Sequence, residues 1–343
     1  MPILATTRSR PALAAAGAAL VLVAVGVPLV LTGAGVAGAV DTPDGRHLIA
    51  ATDQRDHEIV IYHADRDWSK PSAVYARWRP TRGAGYTAAE LAGWSKPTDA
   101  KRRTVGGREL IAVTDSHGLL SVADLRDGRK VWAVRVPAAN NPHGIEVLPD
   151  GRVAAAASNS GRPGAWVRVY SVRTSRYASL ELDSAHEVLW DPDSKRLWAL
   201  GESELVAYRV GGTLDRPALT RDAGYQLPAD SRGGHDLEAV FGYPDRLWVS
   251  THRGLLVFSK KAGGFIDHPQ LGRMNAGQIK AVGSRPGTDQ VLRVRPRKVE
   301  GGLPAGYTCT WCTDTVRLFG PDATRTDPGR YFYKARFWVS RYQ

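Results

Sequence analysis

The chain has 343 residues, a formal net charge of +12 at pH 7 and two cysteines. The length allows one large core or two ordinary ones, and the basic balance favours anionic partners such as acidic polysaccharide, phosphate or cell-wall polymer. Two cysteines exclude a four-thiolate zinc site, and no apolar stretch beyond the N-terminal one approaches spanning length, which excludes a multi-span membrane protein.

Residues 1–39 have the layout of an export signal. Arg8 and Arg10 supply the positive end, an Ala/Leu/Val-rich stretch follows, and Ala37-Gly38-Ala39 offers small residues for cleavage, so the mature protein begins near Val40. An uncleaved single-span anchor is the alternative, because the apolar part is long for a signal and contains Pro28. The expectation is a secreted monomer that meets no nucleic acid and touches a membrane only through this N-terminal segment.

From there the chain reads as short β-rich segments in pairs. HLIAATDQ (47–54) precedes EIVIYHAD (58–65), and ELIAVTDS (109–116) precedes GLLSVADL (118–125). RVAAAAS (152–158) pairs with WVRVYSV (166–172), RLWALGE (196–202) with ELVAYRV (204–210), RLWVSTH (246–252) with GLLVFSK (254–260), and QVLRVRP (290–296) with TDTVRLFG (313–320). Each is rich in β-branched and aromatic residues and is closed by Gly, Asp, Asn or Pro, the composition of hairpins; no sustained helical period occurs.

A further strand-like segment leads each pair, and a polar residue recurs in it: Lys101, His143, His186, His235, Lys280 and Lys334. The intervals lie in the forties and low fifties. That period, with three or four short strands per unit, predicts an all-β fold, a six-bladed β-propeller in which residues 40–343 form a single domain. The segment at Lys334 has no pair after it, and HLIAATDQ has no leading strand before it. Pairing of the C-terminal strand with the mature N-terminal blade therefore closes the ring and leaves fewer exposed edges.

In a propeller the leading strand lies nearest the axis, and period-two alternation turns one equivalent side chain per blade inward. The six recurring residues are expected there, three lysines on one arc and three histidines on the other. Crowded ammonium groups need an offset, which an anion or the nearby Asp99, Glu146, Glu187 and Asp236 could supply. One reading is a satisfied polar network around water. The other is a site: His143, His186 and His235 hold a divalent metal (Mn, Zn or Ca) or supply one catalytic base, while Lys101, Lys280 and Lys334 face an acidic ligand. Trp94, Lys96, Asp99, Lys101, Arg102 and Arg103 form one approach to the axis able to stack on a sugar and pair with a carboxylate, and Arg336 points the same way. His47, His57, His63, His117, His252 and His268 do not share the repeat position. Cys309 and Cys312 are expected to form a local disulfide clip.

The segments LIAATDQ, WSKPTDAKRR, NPHGIEVLPDG, AHEVLWDP, GHDLEAV, IKAVGS, TDTVRLF and YKARFW resemble those of a family of uncharacterised secreted bacterial propellers. This resemblance implies the fold. A weaker one, to propeller-type polysaccharide lyases acting on uronic acids, implies that His143, His186 and His235 hold a divalent metal or act as base. The functional expectation is an axial site for an acidic carbohydrate or other anion, with metal-assisted β-elimination at a uronate if it is catalytic: metal or lysines stabilise the carboxylate and a histidine removes the C5 proton. A non-catalytic ligand-binding or protein-interaction propeller is the alternative.

Overall fold

The structure, a computed structural model, describes residues 47–159 and 164–343 and the backbone of the short strand Leu29–Thr32. Apart from that strand, which pairs in parallel with Val74–Arg79, the expected export segment lies outside the described residues. No helix among the described residues is long and apolar enough to cross a membrane.

The core strands form six antiparallel sheets of four, arranged as the blades of a propeller, with Leu29–Thr32 added to the outer edge of the first. The inner strands, in ring order, are Phe332–Phe337, Pro97–Val105, Pro142–Val147, Glu187–Asp191, Gly234–Ala239 and Ala281–Ser284. Each packs against the next, and the last packs against the first. The first blade is assembled from both ends of the chain: Phe332–Phe337 pairs antiparallel with Leu48–Asp53, Phe337 opposite Ile49 and Ala335 opposite Ala51. The ring closes as the repeat pattern requires.

Blades stack face to face, so both faces of a middle strand are buried and its sequence is continuously apolar. In Glu58–His63, Ile59 and Ile61 enter a core shared with Ile111, Val113 and Leu119 of the next blade. Val60 and Tyr62 enter the core on the other side, with Leu292, Val294 and Val316. Four further interblade cores complete the ring. Among the described residues, helix is confined to two single turns, Ala88–Leu91 and Leu271–Met274, and three short 3₁₀ segments. At Gly144 a Cβ would lie 2.7 Å from both Cα and Oε1 of Glu187, so glycine is what lets the third inner strand approach the fourth and leaves room for that carboxylate.

Candidate functional site: an axial cavity over a charged floor

At one end of the axis a cavity of about 320 Å³ is lined by Gln54, Lys96, Thr98, Ser116, Asn141, His143, His186, His235, Lys280, Trp311 and Tyr333. Six of these form a ring of one residue per blade: Thr98, His143, His186, His235, Lys280 and Tyr333. Bulges aim four of them. The pairing register skips Thr98, His143 and His235, and the extra residue of the closing strand falls at Tyr333-Lys334. His186 and Lys280 stand immediately before their strands, each with its backbone N–H bonded to the neighbouring strand.

This register corrects the repeat alignment. Lys101 and Lys334 do not occupy the position shared by the three histidines; Thr98 and Tyr333 do. Beyond the bulge, alternation turns Asp99, Gly144, Glu187, Asp236, Ala281 and Lys334 inward as a second layer, and Lys101, Glu146, Leu189, Glu238, Gly283 and Arg336 as a third. The matching of PTD (97–99) with GHD (234–236), aspartate on aspartate, is the sequence signal that would have set it right.

The histidines are neutral acceptors. His143 Nδ1 lies 2.8 Å from Asn141 O, and His186 Nδ1 lies 2.7 Å from Ser184 O. A carbonyl can only accept, so each Nδ1 carries the proton and each Nε2, with no protein partner, offers its lone pair to the cavity. Burial pulls the His143 imidazole down to about 3 and holds His186 and His235 well below the usual range, with His143 and Lys280 respectively as the next causes. The His143 and His186 rings are 4.6 Å apart, and those of His186 and His235 5.1 Å. His252, outside the repeat position, packs 4.1 Å from the His235 ring.

Lys280 donates to His235 Nε2 at 2.9 Å and sits 5.9 Å from the centre of the Tyr333 ring. Burial and the charge of Lys334 bring its amine down to about 8. Its contact also occupies the His235 nitrogen that a metal would need, so His143 and His186 are the residues free to hold one. Among the described residues, the one group of at least three His, Cys, Asp or Glu with ligand atoms all within 4.8 Å is Asp53, Asp56 and Glu58, and Arg330 already pairs with all three.

Beneath the cavity lies the floor. Lys101 Nζ meets Glu187 at 3.0 Å and Val188 O at 2.6 Å, with Glu146 at 3.7 Å and Asp99 at 3.9 Å. Lys334 Nζ meets Glu187 at 2.5 Å and Asp236 at 3.1 Å. Arg336 bonds Asp99, Glu187, Asp236 and Glu238 at 2.6 to 2.7 Å, and Arg103 forks onto Glu146 at 2.8 Å. Against the pull of burial, Glu187 and Asp236 hold the Lys334 ammonium above its ordinary value, and Asp236, Asp99 and Glu187 do the same for Arg336. Asp99, Lys101, Lys334 and Arg336 are therefore floor residues whose charges are spent on one another. The cavity above is lined by two lysines and no carboxylate.

At the rim, the disulfide clip forms as expected and Trp311 is the residue that sequence reasoning missed. Cys309 and Cys312 are joined as a disulfide, and between them Trp311, 44% exposed, donates Nε1 to Gln54 Oε1 at 3.0 Å. Lys96 Nζ lies 5.5 Å from its ring centre. Trp94 is placed elsewhere: its Nε1 donates to His57 O at 2.7 Å and its ring packs edge-on to Trp78, outside the cavity lining.

Residues 36–298 match the family described as a family of unknown function, DUF6528. The chain belongs to that family. No curated protein matches this DUF6528 member. Among solved structures it is similar to a protein of unknown function from Bacteroides caccae, with TM-score 0.53 and 10% identity over 84% of this chain and 97% of that one. It is also similar to the Cps50 (Swd1) β-propeller domain of Myceliophteria thermophila, with TM-score 0.44 and 10% identity over 76% and 95% of the two chains. The first likeness supports the fold of the DUF6528 chain and carries no activity with it.

Two outcomes follow for this DUF6528 protein. Arg336→Met removes the cation shared by four buried carboxylates and leaves Glu238 without an ion pair, and urea denaturation should show a loss of about 3–5 kcal/mol; an unchanged midpoint would contradict the network. The histidines stay neutral when folded but protonate in the unfolded chain below about pH 6.5, so stability falls as pH drops through that value. Between pH 7 and 5.5 each should contribute about 1 kcal/mol of that loss, and a His143→Gln/His186→Gln variant should lose less than the wild type over the same interval. Equal losses would show that the imidazoles are not held neutral.

Proposed function

We propose that this protein is a binding propeller whose axial cavity takes an acidic carbohydrate, with Lys280 receiving the carboxylate and His143 and His186 accepting hydrogen bonds from hydroxyls. The lining carries this reading: Lys96 and Lys280, no carboxylate, and two imidazole nitrogens with unshared lone pairs. A fully ionised sulfate presents acceptor oxygens alone, which those lone pairs repel. A sugar acid presents both kinds of group, an anion for the ammonium and O–H donors for the imidazoles. The volume is at the low end of the range of about 300–1,000 Å³ for small-molecule sites, and the net charge of +12 draws anions toward it.

One observation favours a second, catalytic reading. His143 and His186 are anchored through Nδ1–H to carbonyls, the support that metal-binding imidazoles need. A manganese or zinc ion on their Nε2 atoms, joined by His235 once Lys280 turns away, would polarise a uronate carboxylate. Proton removal from C5, with the C4–O bond breaking and the proton passing to the departing oxygen, would then give an unsaturated uronate. Near-stoichiometric metal in untagged protein, lost in His143→Ala and His186→Ala, together with ultraviolet absorbance from that product, would support this reading; absence of both leaves binding alone.

The binding reading is checked by calorimetric titration with glucuronate, galacturonate and mannuronate. Lys280→Met removes a charge-assisted hydrogen bond of about 1.5–3 kcal/mol and should weaken the binding partner of this series by about 10- to 100-fold. Because the amine loses its proton near pH 8, wild-type affinity should fall about tenfold per unit above that value, and the variant should be flat there. Binding that ignores both Lys280 and pH would overturn the assignment.

A further inference from the structure

We infer that the cavity reads the end of an acidic oligosaccharide, the terminal sugar acid lying inside and the next residue stacking on Trp311 at the rim. This rests on the reading that the cavity takes a sugar acid.

The channel is a dead end. Directly under the ring of histidines the axis is filled by Asp99, Glu187, Asp236 and Lys334, and below them by Lys101, Glu146, Glu238 and Arg336, all tied together by ion pairs. On the far side a pocket of about 20 Å³ lies against Lys101, Arg103, Glu238 and Arg336. There the residues after the closing strand cross the axis: Tyr342 donates to Val147 O at 2.7 Å and lies under the Arg103 guanidinium, and Gln343 donates to Tyr243 O at 2.9 Å. A polymer cannot thread such a channel, and an internal residue of a chain cannot reach Lys280 without both of its neighbours passing the rim. A terminal residue has only one neighbour to place.

At the rim, Trp311 stands ready for that neighbour. Trp311 is among the few large apolar side chains that are exposed, and it is not loosely held. The Cys309–Cys312 disulfide fixes its backbone, Gln54 holds its indole N–H, and Gln54 itself donates to Pro97 O at 3.2 Å on the second inner strand. An exposed indole pre-set in this way loses little conformational freedom when a sugar ring stacks on it, and its N–H is already satisfied. Lys96, 5.5 Å from the ring centre, places a second positive charge where the penultimate carboxylate would lie.

The experiment is calorimetry with galacturonate, glucuronate and mannuronate, their dimers and trimers, and polymers of known mean length, on wild type, Lys280→Met, Trp311→Ala and Trp311→Leu. In the series that binds, the dimer should exceed the monomer by about tenfold, and the trimer should add little. Either Trp311 variant should weaken the dimer about tenfold more than the monomer, so that the dimer loses its advantage, and polymer stoichiometry should count chain ends. Equal monomer and dimer affinities, equal weakening of both by Trp311→Ala and Trp311→Leu, or stoichiometry that counts internal residues would overturn end recognition while leaving the cavity as a sugar-acid site. Failure of every series to bind folded wild-type protein would remove the sugar-acid reading, and end recognition with it.

Discussion

The structure depends on one buried cluster of ion pairs at the axis. Its cations Lys334 and Arg336 come from the strand that closes the ring, and their carboxylates come from the second, fourth and fifth blades. Closure is thus secured twice, by the backbone ladder to Leu48–Asp53 at the edge of the axis and by charge across it. Desolvating so many ions is expensive, and a packed apolar plug could be as stable. What the charges add is direction: an inner strand shifted by one residue would turn apolar side chains toward the axis and its charged ones into an interblade core. The network specifies register more than it adds stability.

That same cluster gives the cavity its character. With Asp99, Glu187 and Asp236 engaged below, no carboxylate is left to neutralise Lys280, which turns instead to a histidine. Burial first, and after it the positive charge of Lys334 beneath, keep the imidazoles uncharged. A cavity that holds lone pairs on one side and an ammonium on the other suits a ligand with donors and an anion of its own. Floor and cavity are two layers of one device, and the bulges of the inner strands separate them.

Much of this was legible in the residues. The paired β segments and their period fixed six blades and the closure by both chain ends, because each blade must bury two faces and therefore shows the same apolar runs. His143, His186, His235 and Lys280 were found because each leads its strand. Lys101 and Lys334 lie three residues and one residue beyond the ring positions Thr98 and Tyr333, because charge marks the lysines and nothing in composition marks the two uncharged ring residues. Trp311 escaped because a long loop within the sixth blade, between Val291–Val294 and Thr315–Phe319, places it, and loops do not obey the repeat. Thr98 and Tyr333 carry no charge and drew no notice until the register put them in the ring.

The central claim is that His143 and His186 face the cavity as neutral acceptors beside a single buried ammonium. Nitrogen NMR of histidine-labelled protein, before and after addition of the sugar acid that binds, tests it most directly. The account predicts the Nδ1–H tautomer for both residues at pH 7, with Nε2 resonances that move on addition of the sugar acid and stay still with sulfate. Imidazolium signals, Nε2–H tautomers, or Nε2 resonances indifferent to the sugar acid would contradict it.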